Sequence, residues 1–182
     1  MILLFTQDKL KKEKRKMNRK LKLLSEEISK LLIEQLAHEL KNYNLYRTFA
    51  NYFSVEGILD LEDYYLKRAD EELLHHNWIS TYLSEADVKF MYPVIPENTE
   101  KFNDYVSPFK LTVDREIQTT QMIYKIYEAS LLEKDFMTTA WLLEKLIKEQ
   151  VEEENVSRMA VTIIEETSDI FLRAKKIKKL LE

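Results

Sequence analysis

The stretch Ala69-Asp70-Glu71-Glu72-Leu73-Leu74-His75 sets a carboxylate, and an imidazole three residues later, on the inward face of a segment patterned as a helix. Around it Leu61, Tyr65, Ala69, Ile79 and Leu83 recur in steps of three and four, and Glu72 and His75 fill the two positions between. Side chains at i and i+3 share one helix face, so an oxygen and a nitrogen ligand are offered to the same point. Alone, Glu-x-x-His occurs often on solvated helix faces. Its meaning depends on the rest of the chain.

Working outward, the same interruption recurs on three more apolar stripes. A helix expected over 25–53, with Ser25 as N-cap, carries Ile28, Leu32, Leu36, Tyr43, Tyr46, Ala50 and Phe53, with Glu39 in the middle. The Glu72 helix is expected over 59–86, after the sole glycine, Gly57. A connection of some twenty residues holding Pro93 and Pro96 follows, long enough for the next helix to run parallel to the second. That third helix, about 107–132, shows Phe109, Val113, Thr120, Ile123 and Tyr127 around Glu116. The fourth, about 135–166, shows Leu142, Leu146, Val156, Ala160 and Ile164 around Glu149 and Glu153. A short helix over about 168–181, with four lysines, closes the chain.

Composition agrees with an all-α chain. Of 182 residues 45% are hydrophobic, enough for one domain with a sizeable core, and one Gly with three Pro leave few helix breakers. Cysteine is absent, which excludes disulfides, thiolate metal sites and iron–sulfur clusters and fits a cytoplasmic location. No segment is long and apolar enough to span a bilayer, so a soluble protein with no membrane partner is expected. The net charge of −4 is uneven. Residues 1–20 hold eight Lys or Arg against Asp8 and Glu13, and the acidic remainder suits cations better than nucleic acid. Residues 1–22 are read as a basic leader, disordered or extending the first helix, and residues 23–182 as the folded domain.

Four helices thus each bring an ionisable group into an apolar core. Two carboxylates about 5 Å apart repel by roughly 3 kcal/mol even at an effective dielectric of 20, and desolvation adds to that cost. Seven arginines occur, and Arg15 and Arg19 are in the leader, so buried guanidinium partners look scarce and bound metal cations look the more economical compensation. A Glu from each of two helices together with Glu-x-x-His is the donor set of di-iron and di-manganese sites in helix bundles.

Taken together, Ala37-His38-Glu39-Leu40 with Tyr46, the 69–75 segment, Asp114-Arg115-Glu116, and Glu149-Gln150-Val151-Glu152-Glu153-Glu154 resemble bacterial non-haem ferritin, over about residues 25–166 and including the intervals between motifs. The resemblance implies a ferritin-like four-helix bundle with a long crossover between helices 2 and 3 and a short fifth C-terminal helix. It implies that Glu39, Glu72 and His75 hold one iron, that Glu72, Glu116 and Glu153 hold a second with Glu72 bridging, and that Gln150 lies beside the pair. Glu71, Glu149, Glu152 and shared Glu153 match a third iron site, and Tyr46 a tyrosine that assists oxidation. The implied function is iron storage with ferroxidase activity: Fe(II) is oxidised by O2 or hydrogen peroxide, and ferric mineral collects in a homo-oligomeric shell of 24 subunits. No haem is expected, because position 73 is Leu, where bacterioferritin has the haem methionine, and no second Glu-x-x-His follows Glu153.

Several neighbours have plainer readings. His76, turned about 100° from His75, is expected at the surface or an interface, and His38 is expected to be exposed. Tyr43 and Tyr65 read as core aromatics with satisfied hydroxyls, and Glu154 as part of an acidic face. Departures from the family pattern are the leader, one extra residue between Glu116 and Glu149, and the lysine-rich last helix. Two rival readings stay open: a storage shell that does not catalyse oxidation, and a nucleic-acid or membrane partner bound through residues 9–20. Translation starting at Met17 would remove that leader.

Overall fold

The computed structural model describes residues 23–182, so the leader and its nucleic-acid reading lie outside the described residues. Among the described residues, four helices form a bundle and a fifth is laid on it: α1 (Glu26–Val55), α2 (Leu59–Glu85), α3 (Ser107–Leu132), α4 (residues 136–164) and α5 (Ile170–Lys178). No helix among the described residues is long and apolar enough to cross a membrane.

The helix ends follow from local chemistry. Ser25 Oγ accepts from the Ile28 amide, Asp135 from the Thr138 amide and Asp169 from the Phe171 amide, each satisfying a donor that the first turn leaves free. Ahead of α3 the cap comes from Asp104, whose carboxylate accepts from the amides of Val106 and Ser107. Ser107 is the first helical residue. α1 closes with the Ile58 amide on Phe53 O and the Gly57 amide on Ser54 O, which requires the positive φ of Gly57, 74°. α2 and α3 close in the same way around Asp87 and Lys134, both at φ 59°.

The crossover over residues 86–106 carries the chain along the bundle, and cross-helix bonds give the directions. Tyr65 bonds Thr112 and Arg68 bonds Glu116, in the same order on both helices, so α2 and α3 are parallel. Within α4, Phe136–Leu142 and Lys148–Ile164 are joined by a π-helical turn, Leu143–Ile147. A π-turn holds one residue more than an α-turn. It gives the extra residue of the Glu116–Glu149 interval a place while Leu142, Leu146, Gln150 and Glu153 all stay buried.

α5 lies on α2 and α4. Lys178 Nζ bonds Asp60 at 3.0 Å and Asp63 at 2.7 Å in the first turns of α2, and Lys176 bonds Glu166. At least two of the four terminal lysines therefore tie the last helix down.

The core is divided. One apolar cluster runs from Leu45 to Phe53 on α1, with Tyr64, Tyr65, Phe109, Ala160 and Ile177, and Phe53 stacks on Tyr65 with centroids 5.6 Å apart. The other joins Ile28, Leu32 and Leu36 to Ile79, Leu83, Ile123, Leu142 and Leu146. Each fully buried large side chain contributes roughly 1.5–3 kcal/mol. Between the clusters lies a buried polar layer that includes Gln35, His38, Glu39, Asn42, Arg68, Glu72, His75, Glu116, Gln150 and Glu153.

Two helix faces differ from expectation. On α3, Thr112, Thr119 and Ile126 are buried while Val113, Thr120 and Tyr127 are half-buried, so the face is turned by about one residue. The layer itself sets this turn, because Thr119 Oγ1 is hydrogen-bonded with His38 Nε2 at 2.8 Å and accepts from Asn42 Nδ2 at 3.2 Å. On α1, Tyr43 is half-buried and Asn42 takes the inward place.

Candidate metal centre

Glu39 on α1 and Glu72 and His75 on α2 converge: one ligand atom from each lies within 4.8 Å of the others, and all three residues are buried. Among the described residues this is the set in which three metal-binding groups meet. Glu39 Oε1 accepts from Gln35 Nε2 at 2.7 Å, while Glu39 Oε2, Glu72 Oε2 and Glu153 Oε2 are buried without a hydrogen-bond partner. Unpartnered buried carboxylate oxygens are costly, and those of Glu39 and Glu72, converging beside a neutral imidazole, fit a hard cation.

Electrostatics says the same. Burial raises the Glu39 carboxyl to about 7. Glu72 and Glu153 rise well above the usual carboxylate range, through burial first and then the charges of neighbouring glutamates. Burial lowers His75 to about 4, leaving its ring neutral at pH 7 with a lone pair for a metal. These are groups that a cation would help to ionise.

Glu116 and Glu153 stand beside the set, and a protein cation faces both. Arg68 is 1% exposed; its Nη2 donates to Glu116 Oε1 at 2.6 Å, and its Nη1 lies 3.1 Å from Glu71 Oε2 and 3.5 Å from Glu153 Oε1. The expectation that scarce guanidinium partners would leave the compensation to metal cations is therefore corrected in part, since Arg68 serves two of these carboxylates. The signal was available in the sequence, since Arg68 precedes Glu72 by one helical turn on the same face, as Gln35 precedes Glu39.

Tyr46 donates its hydroxyl to Glu116 Oε1 at 2.5 Å, and Gln150 Nε2 donates to Glu116 Oε2 at 3.0 Å. Glu71 and Glu149 are half-buried and Glu152 is exposed; with Arg68, His75 and Glu153 they line an opening of about 270 Å3. They do not form a second three-ligand set among the described residues. Tyr65 is buried with its hydroxyl on Thr112, and half-buried Glu154 is bonded by Thr120 and Arg158.

Both plainer histidine readings are corrected. His38 is buried on Thr119, and His76 is buried with Nδ1 donating to Leu36 O at 3.0 Å and its ring beside Tyr92 of the crossover. A bundle helix meets two neighbours, so its buried face is wider than the single stripe used to place these residues.

A family model for the ferritin-like domain matches residues 29–165. The chain belongs to the ferritin family. It is 28% identical over 133 residues to the bacterial non-heme ferritin of Staphylococcus epidermidis, covering 73% of this chain and 80% of that protein. To the bacterial non-heme ferritin of Staphylococcus aureus strain USA300 it is 23% identical over 147 residues, 81% of this chain and 88% of that protein. The fold is similar to that of an open pore ferritin from the hyperthermophilic archaeon Archaeoglobus fulgidus, with a TM-score of 0.81, 23% identity and coverage of 87% of this chain and 98% of that one. Family membership supports iron storage and ferroxidase activity in general terms.

Proposed function

We propose that this chain oxidises Fe(II) at a paired-iron centre in its polar layer and stores the ferric product inside a shell of 24 copies. The observation that carries the reading is the convergence of Glu39, Glu72 and His75, with unpartnered carboxylate oxygens, in a core that is otherwise apolar on both sides. Iron is the substrate. Glu39, Glu72 and His75 take one ion; Glu72, Glu116 and Glu153 take the other, with Glu72 shared. Two Fe(II) give up one electron each, and O2 takes both with two protons to leave hydrogen peroxide, or peroxide takes them to leave water. The chain supplies position and charge for this step.

Gln150 and Tyr46 hold Glu116 from its two oxygens, which fixes the carboxylate's orientation toward the pair. Glu71, Glu149 and Glu152, at the opening beside Glu153, form a third position that receives iron next to the pair.

The test is an anaerobic Fe(II) titration followed by rapid mixing with O2 and absorbance detection of Fe(III). Glu72→Ala abolishes the paired site and fast oxidation, whereas Glu149→Ala spares the pair and changes the number of irons oxidised per O2. Wild-type oxidation rates in Glu72→Ala would overturn the centre. Size-exclusion chromatography should place the protein far above its chain mass of 21.9 kDa; a monomer or dimer at micromolar concentration would remove the shell.

A further inference from the structure

The two carboxylates assigned to the second ion are already served by the protein. Arg68 is among the largest fully buried side chains, and its fork spans Glu116 at 2.6 Å and Glu153 at 3.5 Å. A guanidinium keeps its proton under all ordinary conditions, so this charge cannot be removed by deprotonation. A divalent cation bound to the same two carboxylates would meet a fixed positive charge at close range. No such obstacle faces Glu39, whose second oxygen has no partner.

The structure also offers the guanidinium another place. Nη1 lies 3.1 Å from Glu71 Oε2, and the Glu71 side chain, 39% exposed, is at the opening beside the centre. Nε has no partner, so the present arrangement leaves one of the five donors of Arg68 unsatisfied. Turning toward Glu71 would keep one ion pair while releasing Glu116 and Glu153.

We propose that Arg68 is the resident counter-cation of the Glu116–Glu153 half of the centre, so that Glu39, Glu72 and His75 take one divalent cation first and a second enters only by displacing the guanidinium. The two positions then fill in sequence, with unequal affinity, and Arg68 sets the gap. This inference rests on the paired-metal reading above. Arg68 acts here as a specificity-determining residue for the second ion. A purely structural ion pair would stabilise the fold without changing the second affinity selectively.

The experiment is calorimetric titration of the full-length, metal-free protein with Zn(II), which is redox-inert. Wild type should bind one ion tightly and the next at least tenfold more weakly. Arg68→Gln should tighten the second at least tenfold and leave the first within about threefold, and Arg68→Lys, which keeps the charge, should preserve the gap. Two ions of equal affinity in wild type would overturn the proposal, as would a gap that Arg68→Gln does not change. If Arg68→Gln does not fold, the wild-type order of filling and the Arg68→Lys gap decide. A titration that Glu72→Ala leaves unaltered would overturn the metal centre itself. Two equal ions, both lost in Glu72→Ala, would leave the centre standing and remove only the role of Arg68.

Discussion

Tyr46 donates its hydroxyl to Glu116 Oε1 at 2.5 Å, on the same oxygen that accepts Arg68 at 2.6 Å. Burial and the neighbouring charges of Glu116 and Glu72 push the Tyr46 phenol well above its usual range, so it stays protonated and remains a donor. Through this bond α1 holds a carboxylate of α3 in place across the bundle.

Tyr46→Phe removes that donor and leaves Glu116 with Arg68 and Gln150. The loss of a hydrogen bond to a buried charged group should cost about 2 kcal/mol, read as a lower urea midpoint. Stopped-flow oxidation should slow severalfold at an unchanged number of bound ions. Unaltered stability would show that the bond does not hold Glu116.

Stability of the metal-free protein should fall as pH rises from about 6.5 through about 7. The folded chain keeps protons on Glu39, raised to about 7, and on Glu72, raised well above the usual carboxylate range, while the unfolded chain has lost them. Each of these contributions is complete below the ordinary carboxylate value and is lost as pH passes through the folded one. His38 and His75, lowered to about 4, act in the opposite direction between 4 and 6.5, so the slope should be shallower there. Thermal melts from pH 5 to 8 test this. Zn(II) should reverse the slope above 6.5, because the ion displaces the same protons.

The adjacent histidines should separate. His75→Ala removes a ligand and should lose the tight ion. His76→Ala removes a buried donor to Leu36 O and should cost about 2 kcal/mol while the ion count stays the same. Zn(II) stoichiometry and melting temperature, measured on both variants, give the comparison; equal loss of the tight ion in both would refute the assignment.

Lys134 occupies a left-handed position at φ 59° after α3 and is exposed. Lys134→Gly relieves the Cβ conflict there at the cost of a more mobile unfolded chain, for a net gain of about 0.5–1 kcal/mol. Denaturant unfolding should show a higher midpoint with no change in metal binding.

Much of this protein could be read along the chain, because a helix records its buried face in steps of three and four. Sparse breakers, the four apolar stripes and the long Pro-containing link were enough for an all-α bundle with a crossover. One or two ionisable residues inside each stripe were enough to raise a metal centre, since an uncompensated buried carboxylate is too costly to be incidental.

What required the tertiary structure was everything that depends on which helix faces which. A stripe shows that a residue points inward but not what it meets, so Arg68 looked unremarkable until its guanidinium was seen between Glu116 and Glu153. His38 and His76 sat off the stripes and are buried because α3 and the crossover cover them, through Thr119 and Tyr92. The facing of α3, set by Thr119 and not by its apolar residues, was hidden for the same reason. Periodicity is a property of one helix, whereas the pairing of charges across a bundle belongs to four.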